Sequence, residues 1–245
     1  MAADLSDAPG EATPEPIPHE ETRHHFTDTL AEIRHGIAEM GALIVENARR
    51  AGLAITENRM DLVPVVVAGD EPINSRYAYL EKLTFETMAR QQPVAGDLRF
   101  LVSATRILYE LERSGDLVVN LVNSYERISG FPDSPSLRNL LERLVDESTA
   151  LFAKSMDVFD AMDAVAGEAL DEEDDVVDEI VSEFYQQIGR ESDQIGLDAG
   201  IALTRMGRFL ERIADHAVNV GEHTTYIVTS EFPHAENASQ IDGPE

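Results

Sequence analysis

The sequence predicts an all-α protein made of two tandem, sequence-related three-helix bundles, six long helices in all. Three observations carry that prediction. No proline falls between Pro93 and Pro132 or between Pro135 and Pro233, and a long proline-free stretch with helical apolar spacing reads as a long helix. The apolar residues recur in helical stripes, with no convincing β alternation outside the short Val65–Val67 run. One segment of the first half reappears in the second at a fixed offset.

Helix one is expected over roughly residues 20–56, where Phe26, Leu30, Ile33, Ile37, Met40 and Ile44 step by 4, 3, 4, 3 and 4. Helix two is placed over 58–91 with Asn58 as N-cap, and Pro64 and Pro72 should kink or break it. The Val65–Val67 run lacks hairpin signals and is read as helical. Helix three follows the Gln92-Pro93 turn over 94–129. The GFPDSP segment, residues 130–135, is the strongest internal breaker and marks the boundary between the halves. Helix four covers 136–165, with a broad stripe from Leu137 to Phe159, and helix five covers 171–190. Helix six covers 197–229 on Leu203, Met206, Leu210, Ile213, Ala217 and Val220. The domain map is then a first bundle over 19–130 and a second over 131–230. A Pro- and acid-rich segment, 1–18, and a polar segment, 231–245, are expected to be disordered tails.

The duplication is specific in its residues. Arg106, Leu111-Glu112-Arg113, Asp116 and Asn120 return 99 residues later as Arg205, Leu210-Glu211-Arg212, Asp215 and Asn219. Upstream, Asp70 to Asn74 parallels Asp174 to Asp178 at an offset of 104.

Composition removes several classes of function. The 245 residues hold 19 Lys plus Arg against 47 Asp plus Glu, a formal net charge of −28. Such a chain does not suit a nucleic-acid phosphate backbone and does suit cations or basic partners. Only Lys82 and Lys154 are lysines, an acid-rich, Lys-poor usage that fits a salt-rich cytosol and also follows from GC-rich coding. The absence of Cys removes disulfides, thiolate zinc sites, iron–sulfur clusters and Cys nucleophiles. The first residues lack a basic and an apolar region of signal-peptide type, and no apolar run spans a bilayer, so a cytoplasmic protein is expected.

The acids of the repeat form i, i+4 pairs: Glu112 with Asp116, Glu211 with Asp215, Asp174 with Asp178, and Asp70 with Asn74. Counting back from Glu112 lands on Leu108, Thr105 and Leu101, so the pair continues a largely apolar face and belongs at a helix seam. Asp70 lies 22 residues before Gln92 and Glu112 lies 20 after it. At about 1.5 Å per residue both stand roughly 30 Å from the turn, level with each other in an antiparallel hairpin. In the second half Asp174 and Glu211 are equidistant from a turn centred between Ser192 and Asp193. Carboxylates gathered at one level repel unless they are protonated or bridged. A hard cation bridges them and accepts an Asn carbonyl among its ligands. The competing reading is that Arg113 and Arg212 neutralise the acids. Ferritin-like di-iron chemistry needs Glu-x-x-His on the core helices, which these helices lack. Glu32 and His35 have that spacing but leave the apolar stripe and read as a solvated face. His216 and His223 are expected at the surface, beside Asp215 and Glu222. There is no Walker loop, Gly-rich dinucleotide loop or nucleophile elbow.

At these residues the chain resembles a known family. QPVAGDLR at 92–99, LERSGD at 111–116 and LERIADHAVNVGE at 210–222 are similar to the PhoU family of phosphate-signalling regulators, as are Asp70-x-x-x-Asn74 and Asp174-x-x-x-Asp178. The resemblance covers about residues 20–230. It departs from the family at Ser114-Gly115 and Ile213-Ala214, where Ile-Gly is more usual before the Asp; neither change removes a ligand. The resemblance implies two similar three-helix bundles. It implies that Asp70, Asn74, Glu112, Asp116, Asp174, Asp178, Glu211 and Asp215 bind divalent or trivalent metal clusters. Iron is the first expectation, manganese, zinc or magnesium the alternatives; the sites of some members are empty. It also implies a cytoplasmic negative regulator of phosphate uptake and of the phosphate-starvation response. That regulator would be a metal-binding adaptor, homodimeric, joining the ATPase of the phosphate ABC importer to a sensor histidine kinase, and near the membrane only through its partners. Two other readings stand beside it: a metalloenzyme with a carboxylate-bridged cluster, and an unmetallated structural adaptor.

Overall fold

The computed structural model describes residues 19–128 and 130–231, and every regular element among them is helical. The tails expected over 1–18 and 231–245 lie outside the described residues, apart from Glu231. Helix α1 runs His19–Thr56. A 3₁₀ turn, Met60–Leu62, leads into a short α2, Val63–Ala68, and then α3, Asp70–Gln91. Helix α4 is Ala95–Arg127, α5 is Pro135–Ala161, and α6 is a run Ala164–Thr229 broken at Gly196.

The prolines act where expected. Pro64 opens α2 and Pro72 sits in the first turn of α3, positions where a missing N–H costs nothing. The expected helix two is therefore three pieces. Asn58 does not cap it: its backbone is left-handed, φ 54°, and its Oδ1 accepts from the Tyr125 hydroxyl. Ser134 does cap α5, accepting from Leu137 N at 3.1 Å. Helix five was expected from residue 171, but Asp163 Oδ1 accepts from Val165 N and Ala166 N, both at 3.1 Å, and starts the helix at Ala164. The expected helices five and six are the two arms of α6. Gly196, at φ 77° and ψ 166°, lets them fold back, and Thr225 Oγ1 donates to Ala164 O across them at 3.1 Å.

Helices α1, α3 and α4 form one bundle, and α5 with the two arms of α6 forms the other. The stripes predicted from spacing are the core: Ile33, Ile37, Met40 and Ile44 are fully buried, as are Leu203, Met206, Ala217 and Val220. Each such Ile or Leu contributes on the order of 2 kcal/mol by leaving water. Helix α4 also lies along α6, and α1 along α5, so one continuous core runs through both bundles. No helix among the described residues is long and apolar enough to cross a membrane.

Candidate metal centre

Each half brings its predicted acids together on a helical hairpin. In the first half Asp70 opens α3 and meets α4 at Gly115. A Cβ on Gly115 would stand 3.2 Å from Asp70 Oδ1, so the small residue is what lets the carboxylate reach the seam. Asn74 Nδ2 donates to Asp70 Oδ2 at 2.7 Å, while Asp70 Oδ1 is buried without a hydrogen-bond partner. Burial, and then the neighbouring Asp116 and Glu71 carboxylates, raise the Asp70 pKa against the help of Asn74. Glu112 is raised by burial and by Asp116, with Asp70 and Glu81 adding to it and Arg113 opposing. Beside them Tyr77 donates to Glu81 Oε1 at 2.5 Å, and that hydrogen bond, with burial, pushes the phenol up to about 12.

The second half repeats the arrangement between the arms of α6. Burial, followed by Asp178 and Asp215, pushes Asp174 up to about 7. Its Oδ1 is buried without a partner, as at Asp70. Asp178 is raised by burial and by Glu211; Asp215 is raised by burial and by Glu211 and Asp178, with Arg208 opposing both. The interacting residues correct the turn arithmetic. Asp70 lies with Asp116, and Asp174 with Asp215 and Asp178 with Glu211, which centres the second hairpin between Gln194 and Ile195, just before the break at Gly196, instead of between Ser192 and Asp193.

Arginines answer part of this charge. Arg113 Nε lies 3.2 Å from Glu112 Oε2 and its Nη1 3.5 Å from Asp116 Oδ2, with the guanidinium over the Tyr109 ring. In the second half the partner is Arg208, 2.5 Å from Glu211 Oε1, where Arg212 was expected. Among the described residues no three His, Asp or Glu side chains are gathered tightly enough to hold a metal ion. The donor set is all oxygen, suited to a hard cation, and the two orphaned Oδ1 atoms are the ones such an ion would satisfy.

Sequence reasoning placed two histidines wrongly. His216 and His223 are each 8% exposed, inside the α4–α6 seam. His216 Nδ1 donates to Glu110 Oε2 at 2.5 Å, and Asn219 Nδ2 donates to the same oxygen at 3.2 Å. Burial raises Glu110, but these donors and the nearby His223 outweigh it and hold the carboxylate below its usual range. Burial, then Arg106, lowers His223. The signal was available: Glu110 falls between Ile107 and Ser114 on a buried stripe of α4, and His216 between Ile213 and Val220 on a buried stripe of α6. His35 is solvated as expected, 77% exposed, with Nε2 3.3 Å from Glu39 Oε1.

A duplicated helical hairpin with a carboxylate centre in each copy defines a class of twin three-helix-bundle proteins, and the chain falls in one named family of it. The PhoU domain model matches residues 37–125 and again 141–224, one copy per bundle. The chain belongs to the PhoU family. It is 29% identical over 208 residues to a phosphate-specific transport system accessory protein PhoU homolog of Synechocystis, covering 84% of this chain and 92% of that one. It is also 29% identical over 211 residues to homolog 1 of Mycobacterium tuberculosis, covering 85% and 95%. The crystal structure of PhoU from Pseudomonas aeruginosa superposes with a TM-score of 0.79 at 24% identity, over 84% of this chain and all of that one, and shows the fold.

Proposed function

We infer that the chain is an accessory protein of a phosphate transport system that restrains phosphate uptake and the phosphate-starvation response. The observation that carries this reading is the PhoU domain found twice, once per bundle, in relatives named as transport accessory proteins over nearly their whole length. No nucleotide loop or nucleophile motif stands in the sequence, so the chain acts through protein contacts, as an adaptor and not as an enzyme. Its partners on this reading are the importer ATPase and a sensor histidine kinase, met in the cytoplasm by a homodimer. With a net charge of −28, a basic partner surface fits it and DNA does not.

The carboxylates are its effector sites. Asp70, Asn74, Glu112 and Asp116 would hold one hard cation or cluster, and Asp174, Asp178, Glu211 and Asp215 the other. The metal would supply positive charge that relieves three repelling carboxylates in the first centre and four in the second. Asp70 and Asp174 would each offer a lone pair that nothing in the fold uses. The ion pairs of Arg113 and Arg208 favour a second reading, in which the acids stay unmetallated and the hairpins are purely structural. Elemental analysis after iron or manganese loading separates the two, since fewer than about one ion per chain rules out the first. The adaptor reading is tested by gene deletion together with association assays. Starvation genes should be expressed in ample phosphate, and the purified chain should bind the ATPase or the kinase. Failure to bind either at any ionic strength removes it.

A further inference from the structure

Each carboxylate centre lies at the end of a surface strip that the known relatives' names do not describe. On α4, Leu98, Val102, Thr105, Tyr109, Glu112 and Asp116 step by 4, 3, 4, 3 and 4. On the second arm of α6, Leu197, Ile201, Thr204, Arg208, Glu211 and Asp215 step identically, each 99 residues on. One helix face therefore runs from the hairpin tip to the centre in both halves. The tip ends are apolar and exposed: Leu98 42%, Val102 38%, Leu197 78% and Ile201 51%. Phe85 of α3 is also exposed, about level with Val102 by its distance from the Pro93 turn. Burial accounts for Leu111 and Leu210 being leucine at matched core positions. Burial accounts only in part for Leu98 and Val102 and for Ile201, and hardly at all for Leu197; the matched apolar positions all keep a substantial exposed surface.

We propose that each half carries a docking strip for a cationic amphipathic helix of a partner protein, with apolar side chains on Leu98 and Val102, or on Leu197 and Ile201, and a Lys or Arg reaching the carboxylates beyond. Leu98 to Glu112 is 14 residues, about 21 Å, the length of a helix of roughly four turns. The regular 4 and 3 spacing offers grooves into which such a helix seats its own ridges. Charge selects the occupant. A second copy laid on this strip would set acidic centre against acidic centre, so the proposed homodimer meets through another face, whereas a cationic helix is attracted to the whole chain and finds acids at the strip's inner end that Arg113 and Arg208 neutralise only in part. The proposal rests on the adaptor reading in needing a partner. It does not depend on which pathway that partner serves, and it applies to the metal-free centres, since a bound cation would compete with the partner's Lys or Arg for the same carboxylates.

The test uses the full, metal-free chain and a synthetic amphipathic peptide of about 18 residues, leucine on one face and lysine on the other, in titration calorimetry. About two peptides should bind per chain. Leu98→Glu with Val102→Glu should abolish one equivalent, Leu197→Glu with Ile201→Glu the other, and all four together both. Unspecific attraction predicts the reverse, because each variant adds negative charge. The apolar part of the binding should survive about 0.5 M salt, where surface attraction is screened. Melting curves check that the exposed substitutions leave the fold intact, and Ser at the same positions replaces Glu if they do not. Three results overturn the proposal: no peptide binding, binding that the variants leave unchanged or strengthen, or a wild-type dimer that the variants turn monomeric, which would give the strip to a second copy. Metal content of the same variants, measured in parallel, should not change, so a failed strip and a failed metal centre are told apart.

Discussion

The Asp174 carboxyl shows at residue scale what a crowd of acids costs. Burial first, then Asp178 and Asp215, push it up to about 7, while an unfolded Asp titrates near 3.8. Between those values the native state holds a proton that the unfolded chain has lost, so stability must fall as pH rises from about 4 to about 7. His223 works the other way: its imidazole is lowered by burial and Arg106, so the unfolded state takes the proton first and stability falls as pH drops below 6.5. Asp174→Asn separates the two. In chelated protein the variant should show a shallower decline in melting temperature between pH 5 and 7.5, because the raised Asp70, Glu112, Asp178 and Asp215 remain, and it should melt above wild type at the upper end. Equal slopes in variant and wild type would show that Asp174 is ionised throughout. The gathering of these acids on one hairpin in each half was legible because i, i+4 spacing and an internal repeat are properties of sequence. The orphaned Oδ1 of Asp70 was not, because it depends on how closely Gly115 lets two helices approach. Nor was the choice of Arg208 over Arg212, since both lie within reach of Glu211 along the chain, and packing against the other arm decides which guanidinium turns toward it.

At the scale of elements, the helices were legible and several of their ends were not. Proline and apolar period are strong signals over thirty residues, whereas a helix end is fixed by one or two local contacts. Met162 closes α5 in a left-handed conformation, φ 52°, that Met does not advertise, and Asp163 then caps α6 earlier than its apolar stripe begins. Gly196 is the sharpest such point. Its φ of 77° with ψ of 166° lies in a region only Gly enters comfortably, and nothing stands within 4 Å of where its Cβ would be. Gly196→Ala should therefore cost about 1–3 kcal/mol through backbone strain alone. Gly189, on the preceding arm, also has nothing within 4 Å of an added Cβ, but its backbone is helical. Gly189→Ala should stabilise by up to about 1 kcal/mol. Urea melts of the two variants check the opposite signs; two destabilised variants would mean that the arms make closer contacts than these.

On the scale of the whole molecule, the halves are a repeat in sequence but one body in packing. The seam between α4 and α6 holds Glu110, His216 and Asn219 in a largely buried hydrogen-bonded group, whereas the side-chain hydrogen bonds found between α1 and α5 among the described residues, from Arg34 to Asp160 O and from Arg138 to Thr56 O, run to backbone carbonyls. This was the part of the molecule that the repeat concealed, because Glu110 aligns with Phe209 and His216 with Leu117, so duplication gives no hint of it. Removing the carboxylate strands a buried imidazole, and Glu110→Ala should cost about 2 kcal/mol. Because the core is continuous, that loss should lower a single melting transition and not split it. Metal is expected to act on the same transition from both centres. A ligand that binds only the native state adds about 2.7 kcal/mol at a hundredfold excess over its Kd, and here it also removes repulsion among Asp174, Asp178, Glu211 and Asp215. Replacing Glu112 and Asp116 by Ala disables the first centre and leaves the second intact. Bound metal should drop by about half, and chelation should still lower the melting temperature of the variant, by less than in wild type. Calorimetry with parallel elemental analysis measures both. A variant that keeps all its metal would move the ligands elsewhere. A wild-type curve unmoved by verified metal removal would show that Arg113, Arg208 and water already satisfy the acids, and the unmetallated reading of the hairpins would stand.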